Sequence, residues 1–278
     1  MSGEQRAGGR GLGAYVAAYI AFLYLPVAMI PLFSFNDSIQ AAFPLKGFTT
    51  AWYATLIGNT ALAQALTNSV TVGLFAGAGA TLAGVTIAYM SLYSRSPLSL
   101  AISGVSRLPI LIPGVIVGIA LLILANVSGI GPSRTAIVVG HILVALPTTV
   151  VIMRGRFAAI PSNIADAALD LGASDWIAFR RVLLPLSLPA IGSAFMLAFL
   201  TSFDEFIVAF FLAGTQQTLP LFIWSQLRFP RSLPTVMALG TVTLAVSVII
   251  AGAAELLRRS SLSLSAGRPA PAVPFASQ

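Results

Sequence analysis

The chain has 278 residues, of which 57% are hydrophobic and 8% are charged, whereas soluble domains are about 45–50% apolar and about 25% charged. So few polar residues cannot cover a water-soluble globule, and the composition therefore indicates a membrane protein. The formal net charge of +7 comes from basic residues scattered between long apolar runs, which excludes the clustered basic face of a nucleic-acid-binding protein. The absence of cysteine excludes disulfides, thiolate metal sites and cysteine nucleophiles.

Six apolar segments reach the length of about 20 residues that a helix needs to cross a bilayer. In chain order they are 13–34, 64–92, 99–125, 134–153, 186–212 and 235–257. The fold prediction is therefore an all-α polytopic membrane protein with about six transmembrane helices. Residues 1–12 form an amino-terminal segment and 13–259 the transmembrane domain, and the composition of 260–278, rich in Ser, Ala and Pro, predicts a disordered tail.

Basic residues indicate the side that each connection occupies, because Lys and Arg near the ends of spans are retained in the cytoplasm. With the amino terminus inside, ten arginines are cytoplasmic and four basic residues are external. The cytoplasmic set is Arg6, Arg10, Arg95, Arg154, Arg156, Arg180, Arg181, Arg258, Arg259 and Arg268, and the external set is Lys46, Arg134, Arg228 and Arg231. We predict that both termini lie in the cytoplasm.

The second span is rich in small residues at a spacing that lets helix backbones approach closely in lipid. These residues are Gly73, Gly77, Ala80, Gly84 and Ala88. We expect this span to lie in the packed centre of the bundle. Prolines occur inside the first, third and fourth spans, where each removes a backbone donor and bends its helix; they are Pro26, Pro31, Pro109, Pro113 and Pro147.

The connection between the fourth and fifth spans, about 157–185, is too long and too regular in pattern for a plain linker. Ser162 is a candidate N-cap of a first helix, and Gly172 is the glycine that ends this helix. Ser174 is placed to cap a second helix, which runs until Pro185 opens the fifth span. The pattern predicts two helices joined by a tight glycine turn at the cytoplasmic face.

This segment resembles the EAA loop of permease subunits of bacterial ABC importers. The resemblance lies in the triplet Asp166-Ala167-Ala168, then Gly172, then the ending Val182-x-Leu184-Pro185. Aspartate replaces the usual glutamate of the triplet, which keeps the charge. The resemblance implies a type I importer permease fold in which this segment docks on an ATPase subunit through Asp166, Ala167, Ala168, Gly172, Ala173 and Pro185. The alternative is an amphipathic hairpin that lies on the lipid surface, helped by Arg180 and Arg181.

The resemblance extends from about Tyr24 to Leu257. An external loop and the start of the second span look like those of the same family at Phe48, Trp52, Tyr53, Asn59, Asn68 and Ser69. The segment Ser202–Phe206, followed by Gly214 and Leu219-Pro220, looks most like the spermidine/putrescine branch. The implied function is import of polyamines or a related organic cation across the bacterial inner membrane.

The implied assembly contains a second homologous permease, two cytoplasmic ATPase subunits and a periplasmic or lipid-anchored solute-binding protein, all held in or at membrane lipid. We expect no cofactor and no catalytic residue in this chain, because it has no phosphate-binding loop of the Gly-x-x-x-x-Gly-Lys-Ser/Thr type. ATP and Mg are expected on the ATPase subunits. No nucleic-acid partner is expected.

Other functions stay open at this point. The same family serves other solutes, namely an opine, an amino-acid derivative, iron or an oxyanion. An ATP-independent secondary transporter is a less favoured alternative, because the two halves of the sequence do not repeat each other. An intramembrane enzyme would need a paired nucleophile and base, and a single histidine without cysteine argues against it.

Adjacent acids inside the fifth span, Asp204 and Glu205, are candidates for the substrate pathway, because acids at membrane depth usually mark a pathway, a pair or a cavity. The alternative is a structural pairing within the bundle. Phe203 and Trp224 are further pathway candidates, although a membrane-interface role is favoured for Trp224. His141 has no second histidine or cysteine partner, so a hydrogen-bonded histidine is favoured over a metal ligand, and we expect no metal site.

Overall fold

The computed structural model describes the backbone of residues 4–94 and 96–266 and the side chains of 12–94 and 96–260. Within these ranges the secondary structure is helical, apart from one isolated antiparallel bridge between Asn36 and Phe48. Four helices are long and apolar enough to cross a membrane, and the number rises to six if each of two bent helix pairs is one span. This agrees with the predicted all-α architecture.

The helices are numbered in chain order. They are α1 (Glu4–Ser34), α2 (Ala51–Ala54), α3 (Thr60–Tyr93), α4 (Pro97–Val105), α5 (Leu108–Leu111), α6 (Gly114–Val127), α7 (Arg134–Ala159), α8 (Ser162–Asp170), α9 (Asp175–Ala178), α10 (Leu184–Leu186), α11 (Leu188–Phe203), α12 (Ile207–Leu212), α13 (Leu219–Gln226) and α14 (Leu233–Ala266). A π-helical turn, Phe179–Leu183, joins α9 to α10, and a short 3₁₀ turn, Pro230–Ser232, precedes α14.

Several predicted boundaries need correction. The first helix begins at Glu4, inside the segment 1–12 that we separated from it, and the last helix continues to Ala266, into the predicted tail. Helix α7 is six residues longer than the predicted span 134–153. Residues 267–278, with Arg268, lie outside the described residues, as does Arg95, and the side chains of Arg6 and Arg10 are likewise outside them.

The third and fifth predicted spans are broken helices. The pair Pro97–Leu111 and Gly114–Val127 is bent by 115°, and the pair Asp175–Leu186 and Leu188–Phe203 by 71°. The first break follows from Pro113, which caps α6 and cannot donate a hydrogen bond to the preceding turn. The second lies at Ser187, just before Pro189. After the break, α11 runs from Leu188 to Phe203 instead of continuing to the predicted end at residue 212, and α12 follows as a separate helix.

The chain divides into two compact units. The first comprises the described residues up to Gln64 together with Phe222–Ser247, and the second comprises Ala65–Leu221 with the described residues from Val248 onward. In the first unit, residues 12–27 of α1 are exposed throughout. The loop between α1 and α2 is ordered around Asn36, whose side-chain oxygen accepts from the Lys46 amide at 2.9 Å and whose carbonyl accepts from the Trp52 indole at 2.9 Å.

The second unit is built on α3, α7 and α11, which touch through small residues at their centre. Ala80, Ala145 and Ala198, one from each helix, are fully buried against each other. Thr149 donates from Oγ1 to the Ala80 carbonyl at 2.8 Å, and a Cβ added at Gly84 would collide with Thr149. The predicted central position of the small residues of the second span is confirmed for this unit.

Candidate functional site

The hairpin of residues 162–186, here called the Gly172 hairpin, is closed by backbone hydrogen bonds at its turn. Gly172 has φ +85°, a left-handed conformation that glycine adopts without strain. The Gly172 amide donates to the Leu169 carbonyl at 2.8 Å, and the Ala173 amide donates to the Ala168 carbonyl at 3.0 Å. These are the two bonds of a Schellman motif. The predicted role of Gly172 is therefore observed in the backbone.

Of the two predicted N-caps of the hairpin helices, the structure confirms Ser174 and contradicts Ser162. Ser174 caps α9, because its hydroxyl accepts from the Ile177 amide at 3.4 Å. Ser162 is the first residue of α8 rather than its cap: Pro161 occupies the cap position, and no side chain caps this end. Proline is extended there and its carbonyl accepts from the Ile164 amide, so the chain begins the helix without using the serine hydroxyl.

The Gly172 hairpin is anchored by a buried apolar cluster at one end of the second unit. From the hairpin, Ala165 and Leu183 enter a core that also contains Phe157 and Ile160 of the α7 end and Ala88 of α3. Leu183 and Phe157 are each 1% exposed. Because such cores are close-packed, displacement of the hairpin must be accompanied by displacement of the ends of α3 and α7.

Aromatic rings form a continuous path from the exposed side of the hairpin into this core. The ring of Trp176 stacks on Phe179 with 5.6 Å between centroids, and Phe179 lies 4.5 Å from Tyr89 of α3 and 6.4 Å from Phe157 of α7. Tyr89 and Phe157 also meet edge to face, at 6.2 Å. The sequence did not predict this contact path, because its rings come from three separate segments of the chain.

The outer surface of the Gly172 hairpin is apolar and unusually exposed. Leu171 is 90% exposed and Trp176 is 65% exposed, while Asp166 and Ala167 of the acidic triplet face solvent beside them. Ala168 is partly buried. A groove of about 580 Å³ lies between the hairpin and the end of α3, and Asp166, Asp175, Tyr89 and Tyr93 contribute to its lining. Exposed apolar knobs beside a groove are typical of a surface that binds a partner.

A buried arginine at the base of the hairpin was missed in the sequence. Arg156, on the last turns of α7, is 3% exposed and donates from its guanidinium to the Leu186 carbonyl at 2.5 Å. Leu186 is the last residue before the 71° break at Ser187. The guanidinium thus satisfies a carbonyl at the broken helix end, where the regular ladder is interrupted. Sequence counting had assigned Arg156 only to the cytoplasmic charge excess.

The two adjacent acids of the fifth span occupy a helix break and have different environments. Helix α11 ends at Phe203, Asp204 is its C-cap, and α12 begins at Ile207. The Glu205 carboxylate accepts from the Val208 amide at 3.0 Å and so caps α12. The Asp204 side chain is exposed and makes no hydrogen bond or ion pair with the side chains described. The structural alternative therefore fits Glu205, and Asp204 stays a candidate for the pathway.

The aromatic pathway candidates are also placed. Phe203 is 6% exposed and stacks on Phe199, with ring centroids 5.7 Å apart. Trp224 belongs to the other unit, is 38% exposed, and lies under the Arg228 guanidinium at 4.2 Å from the ring centroid. This contact engages the Trp224 ring in a cation–π interaction. Their predicted contact with substrate stays a prediction.

His141 is buried in the second unit, between α7 and α11. Its Nδ1 lies 2.7 Å from the Ser202 hydroxyl, and the residue is 1% exposed. The hydrogen-bonded bundle histidine that we favoured is therefore the arrangement observed. Across the described side chains, no group of three His, Cys, Asp or Glu residues is placed to hold a metal ion.

A polar network at the opposite end of the second unit was not anticipated as a whole. Arg134 donates to the Asn68 side-chain oxygen at 2.7 Å and to the Gln216 side-chain oxygen at 3.1 Å, and Asn68 donates onward to the Gln217 carbonyl at 2.9 Å. The neighbouring Ser69 hydroxyl accepts from the Leu219 amide at 2.7 Å. Asn68 and Ser69 therefore tie the loop before α13 to α3.

Comparison with known proteins gives a family match over residues 80–261, to the family described as binding-protein-dependent transport system inner membrane component. Among curated proteins, the chain is 33% identical over 248 residues to the spermidine/putrescine transport system permease protein PotC of Escherichia coli (strain K12), covering 89% of this chain and 93% of the relative. It is 30% identical over 237 residues to the putrescine transport system permease protein PotI of the same strain, covering 82% and 84%.

Solved structures of ABC transporters share this fold. A bacterial ABC transporter involved in the import of the acidic polysaccharide alginate matches with TM-score 0.66 and 17% identity, over 90% of this chain and 95% of that chain. The MetNI methionine ABC transporter in inward-facing conformations matches with TM-score 0.59 and 18% identity, over 72% and 95%. The predicted importer-permease fold is confirmed. Together, the family match over most of the chain and the sequence relatives establish that this protein belongs to the inner-membrane components of binding-protein-dependent transport systems.

Proposed function

We propose that this chain is the membrane-spanning permease subunit of an ATP-driven importer for polyamines or a closely related organic cation. The observation that carries the proposal is the identity of 33% to a spermidine/putrescine permease protein over 89% of the chain. In this proposal the chain pairs with a second homologous permease, two ATPase subunits bind at the cytoplasmic face, and a solute-binding protein delivers cargo from the periplasm. Both termini are cytoplasmic.

The Gly172 hairpin would receive the movement of the ATPase. Leu171 and Trp176 are the exposed apolar contacts that a partner groove would cover, and Asp166 adds a charge to the same surface. The contacting rings of Trp176, Phe179 and Tyr89 offer a stiff connection to α3. Because packed interfaces switch between discrete arrangements rather than deform continuously, a rotation of the hairpin would be passed to α3 and α7 as a unit.

Asp204 is the side chain that we propose for contact with the cargo. A carboxylate at membrane depth costs roughly 2.5–3.5 kcal/mol on insertion scales, and Glu205 recovers part of its cost by capping α12. Asp204 has no such partner among the described residues, so an ammonium group of a passing polyamine would be a suitable counter-ion. ATP and Mg would be bound by the ATPase subunits, and this chain would take no chemical part in hydrolysis.

Reconstitution tests the proposal directly. The chain is co-expressed with the second permease and the ATPase subunits, and the purified complex is placed in liposomes with ATP inside. Loaded binding protein is then added outside with labelled putrescine or spermidine. We expect ATP-dependent uptake that unlabelled polyamines suppress and that opines, amino acids, iron and oxyanions leave unchanged. If one of these other solutes suppresses the uptake, that solute is the substrate. Uptake without ATP would refute the proposal of an ATP-driven importer.

A further inference from the structure

A small polar cavity lies in the first unit, outside the surfaces already discussed. It has a volume of about 220 Å³ and lies between the α2–α3 connection and the residues around the start of α14. Its polar lining consists of Thr55, Asn59, Gln226, Arg231, Ser232 and Thr235. Its floor is apolar and includes Leu62 and Phe222, which are buried. The volume is below the range of about 300–1,000 Å³ for small-molecule sites, and suits a single side chain.

Two of the polar groups of this cavity, on Asn59 and Arg231, are left only with hydrogen-bond donors. The Asn59 side-chain oxygen is already used, since it accepts from the Leu62 amide at 3.0 Å and so caps α3, which leaves the amide NH₂ to donate. Arg231 contributes a guanidinium, and no carboxylate among the described side chains forms an ion pair with it. The Thr55 hydroxyl donates to the Trp52 carbonyl at 2.6 Å and lies 3.2 Å from the Thr235 hydroxyl, from which it can accept. An arginine and an amide NH₂ above an apolar floor suit a carboxylate on a short aliphatic stem.

The surface around the cavity has the same sign of charge. The described residues 35–59 and 222–235 contain three cations, Lys46, Arg228 and Arg231, against one acid, Asp37, and 3 − 1 gives a net charge of +2. A cationic cargo would be repelled here, so the cavity is not a cargo site if the proposed function holds. In the proposed topology this surface faces the periplasm, where the solute-binding protein must dock.

We infer that the Arg231 cavity receives an acidic side chain, Asp or Glu, from the solute-binding protein. The inference rests on the proposed function and identifies a contact of that partner. Opposite charges across an interface steer encounter and fix register, so this contact selects the docking orientation of the binding protein. Removing it reduces the affinity for the binding protein by about tenfold, which is about 1.4 kcal/mol.

The test is a titration of binding protein against the whole reconstituted transporter in nanodiscs, with binding-protein-stimulated ATP hydrolysis as the signal. Arg231→Glu is expected to raise the half-saturating concentration tenfold or more at low salt, and Arg231→Gln less. Lys46→Glu makes the same charge change on the same face outside the cavity, and is the matched control, with a change below threefold. A scan of acid-to-arginine variants of the binding protein should contain one that restores tight docking to Arg231→Glu alone.

Four outcomes overturn the inference. Equal effects of Arg231→Glu and Lys46→Glu would mean general charge attraction, and an unchanged half-saturating concentration would mean no contact. An effect that appears only with anionic lipid in the nanodisc would assign the cavity to a headgroup. Arg231-dependent binding of free glutamate, without an effect on docking, would assign it to a small anion. A wild-type complex that no binding protein stimulates would instead refute the proposed function.

Discussion

Replacing Gly172 by valine tests whether the turn of the Gly172 hairpin controls docking of the ATPase. The residue has φ +85°, and a Cβ built there meets no atom within 4 Å. A Cβ therefore meets no group beyond the adjacent residues, and the cost of a side chain lies mainly in the backbone conformation. A left-handed conformation costs an L-residue about 1–2 kcal/mol, and a β-branched one falls at the upper end of this range.

The strain competes with the two hydrogen bonds that close the turn. Each bond contributes about 0.5–1.5 kcal/mol net, so a strain of about 2 kcal/mol is enough to open a large fraction of the hairpins. If the open hairpin cannot dock, the apparent affinity for the ATPase falls with the fraction that stays closed. Because the two bonds together hold the turn closed by about 1–3 kcal/mol, a strain of about 2 kcal/mol leaves roughly 15–85% of the hairpins closed and lowers the apparent affinity by up to about fivefold.

The assay measures binding of the purified ATPase subunit to the permease complex in nanodiscs, followed by stimulated hydrolysis and uptake. Gly172→Asn is the permissive control, because asparagine tolerates the left-handed region. Gly155→Val is the second control: this glycine lies in α7 near the same end, its φ is not positive, and a Cβ there also meets nothing within 4 Å. Full ATPase affinity and stimulation in Gly172→Val would refute the coupling role of the hairpin.

Three further predictions concern charged side chains. Asp204→Asn should lower polyamine uptake at least tenfold. Glu205→Gln keeps an oxygen that can accept from the Val208 amide and should change uptake little. Equal losses in the two variants would contradict a special role for Asp204. Arg156→Gln removes the buried guanidinium that donates to the Leu186 carbonyl and should lower the free energy of unfolding by about 1.5–3 kcal/mol, as measured by thermal unfolding in detergent. Arg154→Gln is the control and should stay within about 0.5 kcal/mol of wild type. Arg180→Cys introduces a single cysteine into this cysteine-free chain, and the thiol should react with an impermeant reagent in inverted vesicles but not in intact cells. Labelling in intact cells would show that the predicted orientation is wrong.

The sequence was sufficient for the helical type of the spans, because length and hydropathy decide whether a segment can cross a bilayer, and its count of about six agrees with the four to six candidate spans of the described chain. It was not sufficient to predict how far a broken span bends. Pro113 showed where the third span would lose a hydrogen bond, but the 115° bend depends on contacts such as that of Gly118 with Phe211 of α12. A local pattern identifies a weak point in a helix, whereas tertiary packing decides how far it bends.

The Gly172 hairpin was the best predicted part of the site, because its turn and its second cap are formed within a few residues of each other. Arg156 was missed for the opposite reason: its acceptor, the Leu186 carbonyl, is 30 residues away in sequence, and nothing in the local pattern distinguishes it from an arginine at the membrane surface. The two adjacent acids looked equivalent in the sequence. Only the break after Phe203 separates the capping Glu205 from the exposed Asp204.

The exposure of α1 has a consequence for how this protein tolerates sequence change. Residues 12–27 have exposed side chains on all sides of the helix. These positions therefore need apolar side chains, but the side chains need no particular shape. Exchanges among Leu, Ile, Val and Phe should accumulate freely there during drift. In α3 the opposite holds: at Gly84 even one methyl group meets Thr149, so two helices of similar hydropathy should diverge at very different speeds.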